Sequence, residues 1–225
     1  MERKIVILTK SEKHNAYCVA GRDIETDEWV RLVNRDEVMT DENLTTQEGY
    51  ICKELDVVVV DCFDQPSNIE HQPENVYIKE GYFISKVGEM TWEEVVKRWG
   101  CDIKNTILGI PRDKQAVRLQ NRLEFYKNYE VSQKSLALIK VENVSFKTNL
   151  DTNGGYRRHP KVKFSYLNNS NQTLEYCITL TEDSYRYPNN ETIDDLCFDS
   201  AYIIVSVGEE YNDYVYLLAA KIILI

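Results

Sequence analysis

The pattern that most constrains this chain is its punctuation by short β-branched and aromatic runs. KIVILT, YCVAGRDI, EWVRLV, ELDVVVVDCF, VYI, YFISKV, SLALIKVENVSFKT, KVKFSY, LEYCITLT, AYIIVSVGEE and YVYLLAAKIILI follow one another with polar segments between them, which is the signature of a mainly β protein. Three of the intervening segments read as hairpin turns: ETDE, LNNSNQT and EEYND, each rich in Asn, Asp or Glu. In KVKFSY the alternation puts Val162, Phe164 and Tyr166 on one face and Lys161 and Lys163 on the other, so one side of that strand meets solvent.

Helical signals are confined to the middle. Thr91 followed by Glu94 forms a capping box, and Gly100 closes the segment as a C-terminal glycine does. Residues 112 to 129 space Val117, Leu119, Leu123 and either Tyr126 or Phe125 near helical periodicity, predicting a second helix or an irregular connector. A chain of 225 residues holds two small domains or one large β domain. The pattern predicts a first β unit over residues 1–110, a helical connector over 111–134 and a second β unit over 135–225. No repeat of short period is visible.

Several chemistries are excluded. The cysteines at 18, 52, 62, 101, 177 and 197 include no C-x-x-C pair and no two histidines lie at helical ligand spacing, so no metal site is expected. They read as free thiols in a reducing cytosol, for the chain starts with no cleavable apolar leader and its apolar runs are too short to cross a bilayer. Glycine-rich phosphate loops are absent, the one GG pair being Gly154 and Gly155. Neither a nucleophile elbow nor a distinguishable carboxylate pair appears, so no catalytic residue and no cofactor is assigned.

Charge is uneven. The chain carries a formal −10, yet residues 112–163 hold twelve Lys and Arg against five Asp and Glu, a net +7 that leaves −17 for the rest. Such asymmetry focuses an anionic ligand on one region. Within it, GYRRHPKVKFSY interleaves Arg157, Arg158, Lys161 and Lys163 with Tyr156, Phe164 and Tyr166. Cations that hold phosphates and rings that stack on bases suit single-stranded nucleic acid; a strand with its rings in the core and its cations in solvent fits the same letters.

Two loops complete the candidate set. SEKHN offers Ser11, Lys13 and His14, and reads either as a ligand loop or as a polar turn between two strands. HQPEN offers His71, Gln72, Glu74 and Asn75 around a proline, a set suited to a base edge or a ribose, or to satisfying its own backbone.

The succession of VILTKSEKHNAYCVAG, EWVRLV, LDVVVVDC, HQPENVYI, SLALIKVENVSF, YRRHPKVKFSY with LEYCITLTED, and SVGEEYNDYVYLLAAKII resembles the prokaryotic dual OB-containing domain family over nearly the whole chain. The resemblance implies two OB-like β-barrels in one polypeptide and, by analogy with other OB folds, binding of nucleic acid or a nucleotide. Its matching positions are Ser11, Lys13, His14, Tyr17, Cys18, Gly21, Trp29, Arg31, His71, Gln72, Glu74, Asn75, Arg158, Phe164, Thr181 and Asp183; WVRLV departs from it where a proline after the arginine is commoner.

The resulting expectation is a non-catalytic bacterial binding protein recognising single-stranded nucleic acid or a nucleotide-like ligand. Ser11, Lys13, His14, Arg31, His71, Gln72, Glu74 and Asn75 would line one barrel mouth, with Arg157, Arg158, Lys161 and Lys163 on a nucleic-acid surface. Two other classes fit the residues: an enzyme acting on a phosphate or nucleoside with His14 as acid or base, and a protein-interaction module whose acidic surface meets a basic partner.

Overall fold

In a computed structural model of the chain, residues 1–13, 15–63, 67–102, 106–111, 115–128, 134–147, 159–182 and 196–225 are described. They divide into two compact units, Met1–Gly100 and Cys101–Ile225.

The first unit is built on β1 (Glu2–Lys13), β2 (Ala16–Asp23), β3 (Trp29–Val33), β4 (Asp56–Asp61), β5 (Asn75–Tyr77) and β6 (Ser85–Glu89). β1 pairs antiparallel with β2 and β4, β2 antiparallel with β3, and β3 parallel with β5. Just beyond β5, Ile78 bridges Cys62 just beyond β4, with Lys79 N–H bonded to the Asp61 carbonyl at 2.8 Å and Phe63 N–H to the Tyr77 carbonyl at 2.9 Å. These bonds close the strands into a ring β1-β2-β3-β5-β4, which removes most of the sheet's open edge. β6 is appended to β4.

Closure needs bends, and they occur where small residues permit them. β1 shifts register between Ile7 and Thr9, opposite Gly21, where a Cβ would lie 1.9 Å from the Val6 carbonyl oxygen. Ile5, Ile7, Val19, Val30, Leu32, Val58 and Val60 fill the interior with Met39, Leu44 and Cys52. Helix α1 (Trp92–Trp99) begins at the Thr91 capping box and ends at Gly100, as the sequence predicts. Its end is tied to the β2–β3 turn, where the Asp27 carboxylate accepts from Trp99 Nε1 at 2.7 Å and from Arg98 Nε at 3.1 Å.

The second unit repeats the ring. β8 (Leu136–Lys147) pairs antiparallel with β9 (Lys161–Leu167) and β11 (Cys197–Val207), β9 antiparallel with β10 (Thr173–Leu180), and β11 antiparallel with β12 (Tyr214–Ile223). β10 and β12 run parallel, Thr179 opposite Leu218. The ring β8-β9-β10-β12-β11 thus has the strand order and the parallel closure of the first.

The domain boundary falls earlier than the sequence predicts. Ile107, Leu108 and Ile110 belong to the second core, and the stretch expected as a connector is built into the same unit: β7 (Ala116–Arg118) pairs with β12 and leads into α2 (Leu119–Asn128). Leu108 is held by the wholly buried Arg122 of α2, whose Nε donates to its carbonyl at 3.0 Å. A tie of this kind needs no periodic pattern, so the sequence does not announce it.

Candidate nucleic-acid interface

Of the first predicted cluster, the structure brings four members together. Arg31 on β3 stands opposite Asn75 on β5 and donates from Nη1 to Asn75 Oδ1 at 3.1 Å; Asn75 Nδ2 donates to Gln72 Oε1 at 3.4 Å, and Arg31 N–H to the Glu74 carbonyl at 2.9 Å. The backbone N–H of Gln72 returns to the Ile69 carbonyl at 2.9 Å and folds the loop back on itself. Arg31, His71, Gln72 and Asn75 are all buried, at 2%, 8%, 4% and 2% exposed. Arg31, Gln72, Glu74 and Asn75 are thus bonded to one another across a parallel strand pair, with His71 buried beside them.

The serine-lysine loop is built otherwise. Ser11 is still within β1, opposite Cys18 and buried, and Lys13 ends the strand opposite Ala16. Asn15, at φ 63°, makes the turn. Across the sheet the Arg31 row runs Thr9, Ala20, Arg31, Asn75, and Ala16 lies four residues farther along β2, about 13 Å at the rise of a strand. Lys13 is therefore displaced along the sheet from Arg31. His14, Arg157 and Arg158 lie outside the described residues.

That row occupies the outer face of the first barrel, because Val19 and Leu32 of the same strands point into the core. On the outer face around this row Thr9, Ala20, Arg22, Trp29, Arg31 and Val33 are buried, with the Arg22 guanidinium 4.2 Å from the Trp29 ring centre, while Lys4 is exposed and Cys18 partly so.

The matching face of the second barrel is open along β9 and the end of β8, although Leu136 and Leu138, outward at the start of β8, are buried. Along β9, Val162, Phe164 and Tyr166 are buried while Lys161, Lys163 and Ser165 are partly exposed, so the alternation read from KVKFSY holds. Outward residues form rows across three strands: Lys147, Lys161, Thr179; Ser145, Lys163, Cys177; Glu142, Ser165, Glu175. Lys147 is exposed, and Lys163 pairs with Glu175 at 3.2 Å on the surface, so these rows carry three lysines against two glutamates, with the cations gathered at the Lys147–Lys161 end. The rings of this stretch serve the interior: Phe164 stacks on Tyr176 with centres 5.8 Å apart, both 1% exposed. The base-stacking alternative for Phe164 and Tyr166 is thereby removed.

Net charge follows the same division. Residues 1–100 hold twelve Lys and Arg against twenty-one Asp and Glu, and residues 101–225 hold fifteen against sixteen. The acidity of the chain thus belongs almost wholly to the first unit. One of the second unit's cations, Arg122, is spent inside, bonded to the Leu108 and Lys134 carbonyls.

Burial shifts the titration of three cysteines: it pushes the Cys52 and Cys62 thiols up to about 11, with the Asp56 carboxylate adding to the effect at Cys52, and raises the Cys101 thiol in the same direction. All six cysteines are unpaired. Among the described residues no group of His, Cys, Asp and Glu is arranged to hold a metal ion, and no helix is long and apolar enough to cross a membrane.

Among curated proteins none matches this chain. Two solved structures are similar at low identity. A replication protein A heterotrimer bound to single-stranded DNA aligns with 98% of this chain at 10% identity and a TM-score of 0.36; the chain spans about half, 49%, of that polypeptide's length. A murine DNA-binding protein bound with double-stranded DNA aligns over 99% of this chain and 98% of its own, at 9% identity and a TM-score of 0.32. The dual OB-containing domain matches residues 3–222, which the two rings of identical strand order divide between them, and the chain belongs to that family.

Proposed function

We propose that this protein is a non-catalytic binder of single-stranded nucleic acid and that its second barrel carries the contact. The observation behind this reading is the contrast between two equivalent faces. In the first barrel the centre of the outer face of β1–β3 is buried, with Arg22 set against Trp29 and Arg31 bonded to Asn75, whereas the outer face of β9 and the end of β8 presents Lys147, Lys161 and Lys163 to solvent. Backbone phosphates need such cations on an accessible, gently curved sheet. The near-neutral balance of the second unit lets a local basic row attract an anion, while the acidic first unit repels it.

Under this reading Arg157 and Arg158, four and three residues before Lys161 in the chain, also contact the nucleic acid, and the Arg31–HQPEN cluster stabilises its barrel. The six unpaired thiols suit a reducing cytosol. Fluorescence anisotropy with labelled single-stranded oligonucleotides at low salt tests the proposal. Binding by the native protein that drops at least tenfold in Lys161→Glu/Lys163→Glu supports it; equal binding by both proteins contradicts it.

A further inference from the structure

A strand held by the β9 lysines needs rings to stack on, and Phe164, Tyr166 and Tyr176 face the core. Among the described residues of the second unit, Tyr211 is the aromatic side chain that stands most clear of the surface, 67% exposed at the tip of the β11–β12 hairpin. From the geometry we infer that the bases of a bound single strand stack at this tip, on Tyr211 and on the Arg118–Tyr214 pair beside it. The inference rests on the function proposed above and deepens it, separating the phosphate contacts from the base contacts.

The connection between lysines and tyrosines is continuous. β12 has β11 along one edge; along the other it pairs first with β7, Tyr214 opposite Arg118, and then with β10, Leu218 opposite Thr179. Gln115, just before β7, fastens the two stretches: its carbonyl accepts from Leu217 N–H at 2.8 Å and its Nε2 donates to Thr179 Oγ1 at 2.9 Å. Thr179 is the outward neighbour of Lys161. Val215 is buried in the core and Val117 packs against it, so Arg118 and Tyr214, alternating with them, continue the outward surface that the lysines begin.

The tip itself is shaped for a flat ligand. Arg118 Nε donates to the Tyr214 hydroxyl at 3.3 Å with its guanidinium 5.7 Å from the ring centre, which sets a planar cation against an aromatic face. Tyr211 N–H bonds to the Tyr214 carbonyl at 2.8 Å and Tyr214 N–H to the Tyr211 carbonyl at 3.1 Å, fixing the tip around Asn212 and Asp213, both at positive φ. Glu209, Glu210 and Asp213 surround the tip. Their charge disfavours phosphate there, so the tip meets bases while the lysines hold the backbone.

Two probes distinguish failure of this inference from failure of the proposed function: a labelled thymidine oligonucleotide and an abasic oligonucleotide of equal length. The inference expects Tyr211→Ala to weaken thymidine binding about tenfold and leave abasic binding unchanged, with Tyr211→Phe restoring native affinity. Tyr211 is exposed at a turn, so its removal leaves the core intact; Arg118→Gln is the second variant, with a loss for the thymidine probe larger than for the abasic one. Native affinity of Tyr211→Ala and Arg118→Gln for thymidine, while Lys161→Glu/Lys163→Glu loses both probes, overturns the inference and leaves the function standing. Absence of binding to either probe by the native protein overturns both.

Discussion

Arg31 and Asn75 face each other across the parallel β3–β5 pair, the guanidinium donating to the side-chain amide oxygen at 3.1 Å inside a surface that solvent does not reach. Residues 44 positions apart are thereby locked at the place where the first ring joins its third strand to its fifth. Parallel neighbours cannot be fixed by a tight turn, and a planar, many-donor side chain is suited to fixing them instead.

Arg31→Lys is therefore a stability variant. A lysine brings one ammonium where a fork stood and leaves the Asn75 oxygen poorly matched, at a cost of about 1–3 kcal/mol. Thermal unfolding followed by circular dichroism should show the first unit's Tm lowered by about 5–10 °C, with oligonucleotide affinity at 20 °C unchanged. An unchanged Tm with lost affinity would instead place Arg31 in the ligand site.

Asp56 gives the first unit an acid-sensitive anchor. It is fully buried, paired to Lys86 Nζ at 2.6 Å, and accepts from the Tyr50 hydroxyl and the Lys53 N–H, each at 2.9 Å. Burial raises its pKa, but these three donors outweigh burial and hold the carboxyl below its ordinary 3.8. A lowered native pKa stabilises the fold above the unfolded value and ceases to do so as pH falls through the native one. The stability gap between the native protein and Asp56→Asn, measured by urea unfolding, should be full at pH 7 and shrink below about pH 4. A gap independent of pH would contradict this anchor.

Thiol reactivity follows burial. Cys52 and Cys62 are fully buried with thiols raised to about 11, whereas Cys197 is exposed on β11. With iodoacetamide at pH 8, mass mapping should find Cys197 alkylated first and Cys52 and Cys62 modified only when urea unfolds the first unit. Early labelling of Cys52 would refute the packing given for the first core.

The strands were legible because hydrophobic runs and their turns are local properties. KVKFSY announced its two faces by alternation, and TWEE announced α1 by its capping box. The internal duplication was not legible: it lies in strand order and in two parallel closures, Arg31 with Asn75 and Thr179 with Leu218, and register does not require like residues. β7 was hidden because Ala116–Arg118 is too short to show a period and sits where helical spacing begins. Arg31 with Gln72, Glu74 and Asn75 was readable as a group, but letters do not tell a polar cluster that holds a ligand from one that holds a strand. Burial makes that distinction. Tyr211 and Arg118 went unmarked for a related reason, since each is brought to Tyr214, Arg118 by β7–β12 pairing across 96 positions and Tyr211 by the bridge at the hairpin tip.

The dependence of oligonucleotide affinity on salt tests the central claim most directly. Each phosphate neutralised on a single strand contributes about −0.7 to the slope of log K against log salt concentration. Removing the Lys161 and Lys163 charges with Lys161→Gln/Lys163→Gln should make the native slope shallower by about 1.4 and weaken binding at low salt. A slope identical in the native and doubly substituted proteins would mean that the outer face of the second barrel does not hold the backbone.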